Sequence, residues 1–243
     1  MDNLEDKYYT VPVEIYRRFL DNPKGILNDV MNYLAAHKRN GQNQTLAERE
    51  LGVKFVNWKQ ALNRGKLLWK QEYNGTVFSI PRKMYWDCYN QIETKSTNDL
   101  LDILAYLALK TRLGKNKLRA MTTGELFMLM AGYGCKLDFE KRNEELGAIG
   151  KYFENERKQR DVGLRIRNRL EAKHQFYHIK GNRNFVYTFS NRDKRSVYTM
   201  LARYVEEHKR SNRERVKREI IAEVKAGFNP NAEPQIVEYE NTT

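Results

Sequence analysis

The chain has 243 residues, with 44 Lys and Arg against 31 Asp and Glu, a formal net charge of +13, 40% hydrophobic residues and 12% aromatics. That apolar share supports a packed core and excludes a wholly disordered basic tail, and no run approaches the roughly 18–20 apolar residues of a membrane-spanning helix. The excess charge calls for a polyanionic partner, most simply nucleic acid, against the alternative of a basic surface that serves only solubility. The acidic N-terminus lacks the apolar stretch of a signal peptide, so a cytoplasmic location and no membrane partner are expected. Cys88 and Cys135 are too few for a disulfide framework or a four-ligand zinc site.

Taken in chain order, Pro23 opens a helical pattern in which Ile26, Leu27, Val30 and Leu34 share one face as far as His37. After Asn40-Gly41, Thr45 and Glu48 stand at the spacing of a capping box, and the short helix they predict stops at Leu51-Gly52-Val53. A further helix is predicted from Asn57 to Lys70, burying Trp58, Leu62 and Trp69. From Glu72 to Ile80, Asn74-Gly75 lies between strand-like residues and predicts a hairpin.

The same order then recurs. Leu100, Leu101, Leu104, Leu107 and Ala108 mark a helix that Gly114 closes. Thr122 and Glu125 form a second capping-box pattern, 77 positions after the first, opening an apolar run to Met130 that Gly132 and Gly134 close. Residues 137–156 are an insertion, readable as an extra helix carrying Leu146, Ile149 and Phe153, as a loop, or as the start of one very long helix. Val162, Ile166 and Leu170 mark the next helix, and Phe176–Phe189 reads as a hairpin turning near Gly181-Asn182. Helix, short capped helix, helix, hairpin is the order of a winged helix-turn-helix unit. The expected fold class is therefore mainly α with small β-hairpin wings (α+β), built as two such units in tandem plus a C-terminal helix. The expected divisions are 1–92 for the first unit with its N-terminal extension, 93–209 for the second, and 210–243 for a C-terminal helix and flexible tail. Ser196–Val205 and the alternating charges that follow predict that helix, with Val216, Ile220 and Val224 recurring every four residues. Pairing of these positions with a partner helix, as in a homodimer, and packing back onto the domain are both open.

The surplus charge is local. Residues 157–195 hold twelve basic residues and three acids, a net +9, and residues 54–70 hold five basic residues and no acid. On the second unit's third helix, Arg160, Leu164, Arg167 and Asn168 point away from the apolar stripe, with Arg165 at the flank. On the first unit's, Gln60, Asn63, Arg64 and Leu67 point out, with Lys59 and Lys70 at the edge. The third helix of such a unit enters the major groove, where Arg, Lys, Asn and Gln can read base edges. Arg167, Asn168, Asn63 and Arg64 are the expected base contacts, with the remaining basic groups on phosphates. The hairpin tip at Lys180 and Arg183 adds a basic wing. Its aromatics Tyr177, Phe185, Tyr187 and Phe189 suit packing against the unit's own core better than stacking on single-stranded bases.

No phosphate-binding loop or dinucleotide-binding glycine pattern is present. The closest histidine pair, His174 and His178, has no carboxylate or thiol beside it in the sequence. No catalytic residue, cofactor or metal is expected.

Two winged-helix units from Pro23 to His208, the second with the more basic recognition helix, resemble the plasmid replication initiator family. The resemblance is one of architecture. It implies binding to iterated origin repeats on double-stranded DNA and partners in the replication or transcription machinery. It carries over to the basic face at Arg165, Arg167, Asn168 and Arg169 and to the wing at Lys180 and Arg183. A winged-helix scaffold for protein assembly and an RNA-binding regulator are the alternatives.

Overall fold

The first described element is strand β1 (Tyr8–Pro12), whose alternation turns Tyr9 and Val11 inward. A computed structural model describes residues 8–37, 43–136, 139–140, 146–181 and 183–227, with side chains as far as 222. Helix α1 (Pro23–Ala35) starts where Pro23 occupies the first turn and the Asn22 side chain accepts from the Gly25 amide. Asn40-Gly41 lies outside the described residues.

Helix α2 (Gln44–Leu51) is capped by Asn43, whose side chain accepts from the Leu46 amide. Thr45 therefore sits within the first turn, and the capping box expected of Thr45 and Glu48 does not form. Asn caps at least as well as Thr, and the earlier start frees the Glu48 carboxylate to accept from the Gln44 side chain and the Phe55 amide. Gly52, at φ 70°, ends the helix as the sequence suggests.

Helix α3 (Trp58–Trp69), capped by Asn57, lies against α1. Its buried positions are Ala61, Gly65 and Leu68, not the expected Trp58, Leu62 and Trp69. The approach is close enough that a Cβ on Gly65 would stand 2.0 Å from the Asn32 carbonyl oxygen. Small residues allow that distance, and the two tryptophans are displaced to the flanks. Trp69, 43% exposed, stacks on Tyr33 with centroids 4.5 Å apart and donates its indole N–H to the Tyr33 carbonyl.

Strand β2 (Val77–Pro81) pairs antiparallel with β1, Tyr9 opposite Ile80 and Val11 opposite Phe78. The hairpin expected over Glu72–Ile80 is thus absent. Asn74 and Gly75, the latter at φ 81°, form a turn that leads into β2. The apolar positions of β1 match Phe78 and Ile80, whereas Glu72 is exposed and has nothing to bury. Helix α4 (Arg82–Asn90) follows and buries Tyr85, whose hydroxyl donates to the Leu27 carbonyl.

Helix α5 (Thr97–Leu113) opens with a Ser96–Asp99 capping box and closes at Gly114. Strand β3 (Arg119–Met121) leads to helix α6 (Thr123–Met130), which begins with the expected box. Thr122 Oγ1 accepts from the Glu125 amide at 3.1 Å, and the Glu125 carboxylate accepts from the Thr122 amide at 2.8 Å. Part of the 137–156 insertion lies outside the described residues. The rest contains a 3-10 helix over Gly147–Tyr152 that buries Ile149 and Tyr152, and Phe153 packs on Phe139. Asn155 then caps a new helix, α7 (Glu156–Lys173), so the insertion does not extend that helix.

Strands β4 (Phe176–Lys180) and β5 (Phe185–Phe189) form the expected hairpin, and β3 joins β5 to give the order β3-β5-β4. Gly181 N–H donates to the Asn184 carbonyl at the turn, while Asn182 lies outside the described residues. Phe176, Phe185 and Tyr187 enter the main core, and Val186 faces the opposite way. That second face is covered by helix α8 (Lys194–Gly227) through Val197, Leu201 and Val205. Both faces of the hairpin are thereby occupied, and its aromatics serve as packing.

The fold is mainly helical α+β, with small antiparallel sheets and the long α8. One buried cluster runs from Tyr9 to Tyr187 through both halves of the chain. The division expected at 209/210 falls inside α8, whose side chains from Glu206 to Ala222 are all exposed, Val216 and Ile220 included. Val224 and the tail beyond Gly227 fall outside the described side chains. Among the described residues no helix is long and apolar enough to cross a membrane.

Candidate nucleic-acid interface

Helix α7 carries seven basic residues against three acids, and the fold divides its charge into three parts. Its buried line is Gln159, Gly163, Ile166 and Leu170, set against α5 and α6. Gly163 permits that packing, because a Cβ there would meet the Thr123 methyl at 2.6 Å. Val162, expected inside, is half-buried. The solvent face holds Arg160, Leu164, Arg165 and Asn168. This is the outward set expected from the sequence, with one member missing.

The missing member is Arg167. It is 7% exposed, and its guanidinium lies over the Phe185 ring at 4.2 Å from the centroid. Its Nε and Nη1 are covered and find no hydrogen-bond partner among the described residues. Burial pushes its pKa down to about 10, so it remains a cation at neutral pH. Helical spacing alone placed it outward, but the β4–β5 hairpin folds over that flank and covers it.

Arg169 departs from expectation as well. Its Nε and Nη2 bind the buried carboxylate of Asp102 on α5 at 2.7–3.0 Å, and Lys173 approaches the same carboxylate at 3.3 Å. Arg169 therefore ties α7 to α5 and is withdrawn from the contact surface. The first half repeats this device: Arg64 on α3 forms a two-pronged pair with Asp29 on α1. An arginine so engaged is not free to read a base. Lys59, Gln60, Asn63 and Lys70 are exposed on α3, as expected.

The other basic contacts expected in the second half gather in two places. Arg160, Lys180 and Arg183 border a groove of about 740 Å³ between the start of α6, α7 and the hairpin, and Arg167 lines its inner side. Arg165 lies on the other flank of α7 in a cleft of about 360 Å³ with Lys151 and Lys158. Lys151 joins this cleft because the turn at Asn155 brings the insertion's end beside α7, which carries Lys158 itself. Asn168 is exposed, and its carbonyl oxygen lies 3.3 Å from His178 Nε2. Burial first, then the Arg167 charge, push the His178 pKa down to about 4 despite Glu171 nearby. In its Nε2–H tautomer the neutral ring donates to the Asn168 carbonyl oxygen.

In the first half, the loop expected to be a wing tip is exposed but tied back onto the fold. The Asn74 amide donates to the buried Glu14 carboxylate, and its side chain lies against Gly134 of the second half, where a Cβ would be 2.2 Å away. Among the described residues only the second half presents a basic helix and a basic hairpin side by side. Among the described residues no group of three or more His, Cys, Asp or Glu is placed to hold a metal ion. No family model, curated protein or solved structure matches the chain.

Proposed function

We propose that this chain is a sequence-specific double-stranded DNA-binding protein without catalytic activity, whose main contact is a winged helix-turn-helix unit over residues 97–189. The reading rests on topology and charge together. Helix α5, strand β3, helix α6, helix α7 and the β4–β5 hairpin follow the winged-helix order, with the β3-β5-β4 sheet that order entails. In such a unit α7 enters the major groove and the hairpin meets the backbone.

The observation that carries the proposal is the groove flanked by Arg160 from α7 and by Lys180 and Arg183 from the hairpin. Arg160, Arg165 and Asn168 are the groups free to reach base edges, and Lys180 and Arg183 suit phosphates. The first unit supports this with Lys59, Gln60, Asn63 and Lys70 on α3, without a projecting wing. The biological role in this reading is initiation of plasmid or mobile-element replication, or repression at such a locus.

Titration of a random-sequence duplex at two salt concentrations tests it. Binding at low salt that weakens steeply as salt rises is the expected result, and no binding at low salt overturns the proposal. Enrichment from a random duplex library then yields repeated half-sites at fixed spacing if the protein is an initiator or repressor.

A further inference from the structure

A buried cation without a counter-ion is costly to keep, because desolvation penalises the charged form and nothing nearby compensates it. Arg64 and Arg169 put their charge to use against Asp29 and Asp102, and Arg82, whose Nε is likewise covered and unpartnered among the described residues, lies over the Tyr9 ring at 5.0 Å in a less buried position. Arg167 has only the face of Phe185, at 4.2 Å, and its Nε and Nη1 are unpartnered. Arg167 lines the wall of an open groove; Nε and Nη1 are themselves covered, which leaves Nη2 as the donor that a group entering from solvent meets first.

The start of α6, at Thr122, Thr123 and Gly124, lines the same groove, and Arg167 Nη1 and the Thr123 methyl both lie within 3.3 Å of where a Gly163 Cβ would stand. The capping box uses the amides of Thr122 and Glu125. The amides of Thr123 and Gly124 have no partner among the described residues, and they lie at the positive end of the helix dipole. Gly124 leaves the space open: a Cβ there would come no nearer than 4.0 Å to Gln159 and Thr122. The rim holds Arg160, Lys180 and Arg183 against Glu156 and Asp161, so with Arg167 the groove is net positive. His178, which also lines it, is neutral at pH 7.

We infer that this groove is a phosphate site, in which Arg167 and the free amides of Thr123 and Gly124 grip one phosphate of the DNA backbone. The inference deepens the DNA-binding reading and rests on it for the source of the phosphate. It assigns Arg167 a positioning contact at the junction of wing and recognition helix, where the sequence suggested a base contact. Stacking on Phe185 holds the guanidinium plane in place before the phosphate arrives, so little side-chain entropy remains to be lost on binding.

The test compares the intact chain with Arg167→Met and Gly124→Leu. For Arg167→Met, thermal unfolding is expected at an unchanged or higher Tm, since a buried unpaired charge is removed. Duplex affinity should fall about tenfold, and the slope of log K against log salt should shrink by about 1. Gly124→Leu fills the groove from the α6 side, leaves every charge in place, and should weaken binding to a similar extent. In parallel, inorganic phosphate is titrated into the isotope-labelled free chain at constant ionic strength. The Thr123 and Gly124 amides and the Arg167 Nε–H should shift in the wild type and not in Arg167→Met. Wild-type DNA binding matched by both variants, with unchanged salt slope, overturns the phosphate site while the DNA reading stands. If the wild type binds no duplex, the DNA reading fails. The phosphate titration then decides alone: shifts assign the groove to a free phosphorylated small molecule, and no shifts overturn the site.

Discussion

The two halves of this protein are built from the same local parts and finished differently. Each packs a third helix against a first helix, and each ties that pair with an arginine-to-aspartate bridge, Arg64 to Asp29 and Arg169 to Asp102. Each also needs a glycine on the third helix for close approach, Gly65 and Gly163. The halves diverge in the strand that follows. After α3 the chain enters β2, which pairs back to β1 some 70 residues earlier, and the preceding turn is drawn into the contact with Glu14 and Gly134. After α7 the chain makes β4 and β5 as a projecting hairpin with Lys180 and Arg183 near its tip. A strand partner far away in sequence thus decides whether a helix pair acquires a wing. The half that acquires one is also the half that holds the surplus charge.

The largest expected effect follows from that asymmetry. Reversing Arg160, Arg165 and Lys180 to Glu should lower duplex affinity by roughly 100-fold or more at moderate salt, since three phosphate or base contacts become repulsions. The matched change on α3, Lys59, Asn63 and Lys70 to Glu, should cost about tenfold. Fluorescence anisotropy on one duplex compares them directly, and equal losses would make the halves equivalent contact surfaces.

The shared arginine bridges should differ in stability. Asp102 is 5% exposed and Arg169 30%, whereas Arg64 is 47% exposed. Asp102→Ala strands Arg169 and Lys173 beside a buried cavity and should cost about 2 kcal/mol, discounted from a fully buried pair because Arg169 is partly wet. Asp29→Ala should cost less than about 1 kcal/mol. Urea unfolding at pH 7 measures both, and the order Asp29 above Asp102 would contradict the burial difference.

Much of this division was legible in the sequence, and the exceptions share a cause. Apolar spacing and local caps located α1, α3, α5 and α7, the Thr122 box and the 176–189 hairpin, because each depends on contacts within a few residues. Strand β1 and its pairing depend on residues far apart, so Asn74-Gly75 looked like a hairpin turn when only its own neighbourhood was considered. The rotation of α3 was missed because a wheel weighted by hydrophobicity favours Trp58 and Trp69, while the distance to α1 admits only Ala61 and Gly65. Arg64, Arg167 and Arg169 had the right composition for DNA contact. Their roles were settled by an aspartate on another helix or by a hairpin folding over, which spacing along one helix does not record.

His178 belongs to the second half's junction and supplies a pH signature. Its pKa of about 4 lies below the ordinary value of 6.5, so the unfolded chain binds more protons there than the native one between these values. The corresponding stability is fully present above pH 6.5 and is lost as pH falls toward 4, at up to about 1.4 kcal/mol per pH unit. His174, also lowered by burial, adds a contribution of the same sign. Unfolding free energies from pH 7 to 5.5 should therefore fall less for His178→Gln than for the wild type. Identical slopes would place His178 in water.

The finest contrast lies in the two Thr-x-x-Glu patterns, which look alike in sequence and differ in the structure. Thr122 closes both bonds of its box, and its loss removes the acceptor for the Glu125 amide and loosens the return bond from Glu125. Thr122→Ala should therefore cost about 1 kcal/mol. Thr45 is exposed within α2, and its helix is capped by Asn43. Thr45→Ala should be within about 0.5 kcal/mol of neutral, since Ala has the higher helix propensity and no cap is lost. Asn43→Ala, by contrast, should cost about 1 kcal/mol. Chemical denaturation of the three variants separates a true box from a coincidence of spacing. A cost at Thr45 equal to that at Thr122 would restore the symmetry that the hydrogen bonds deny.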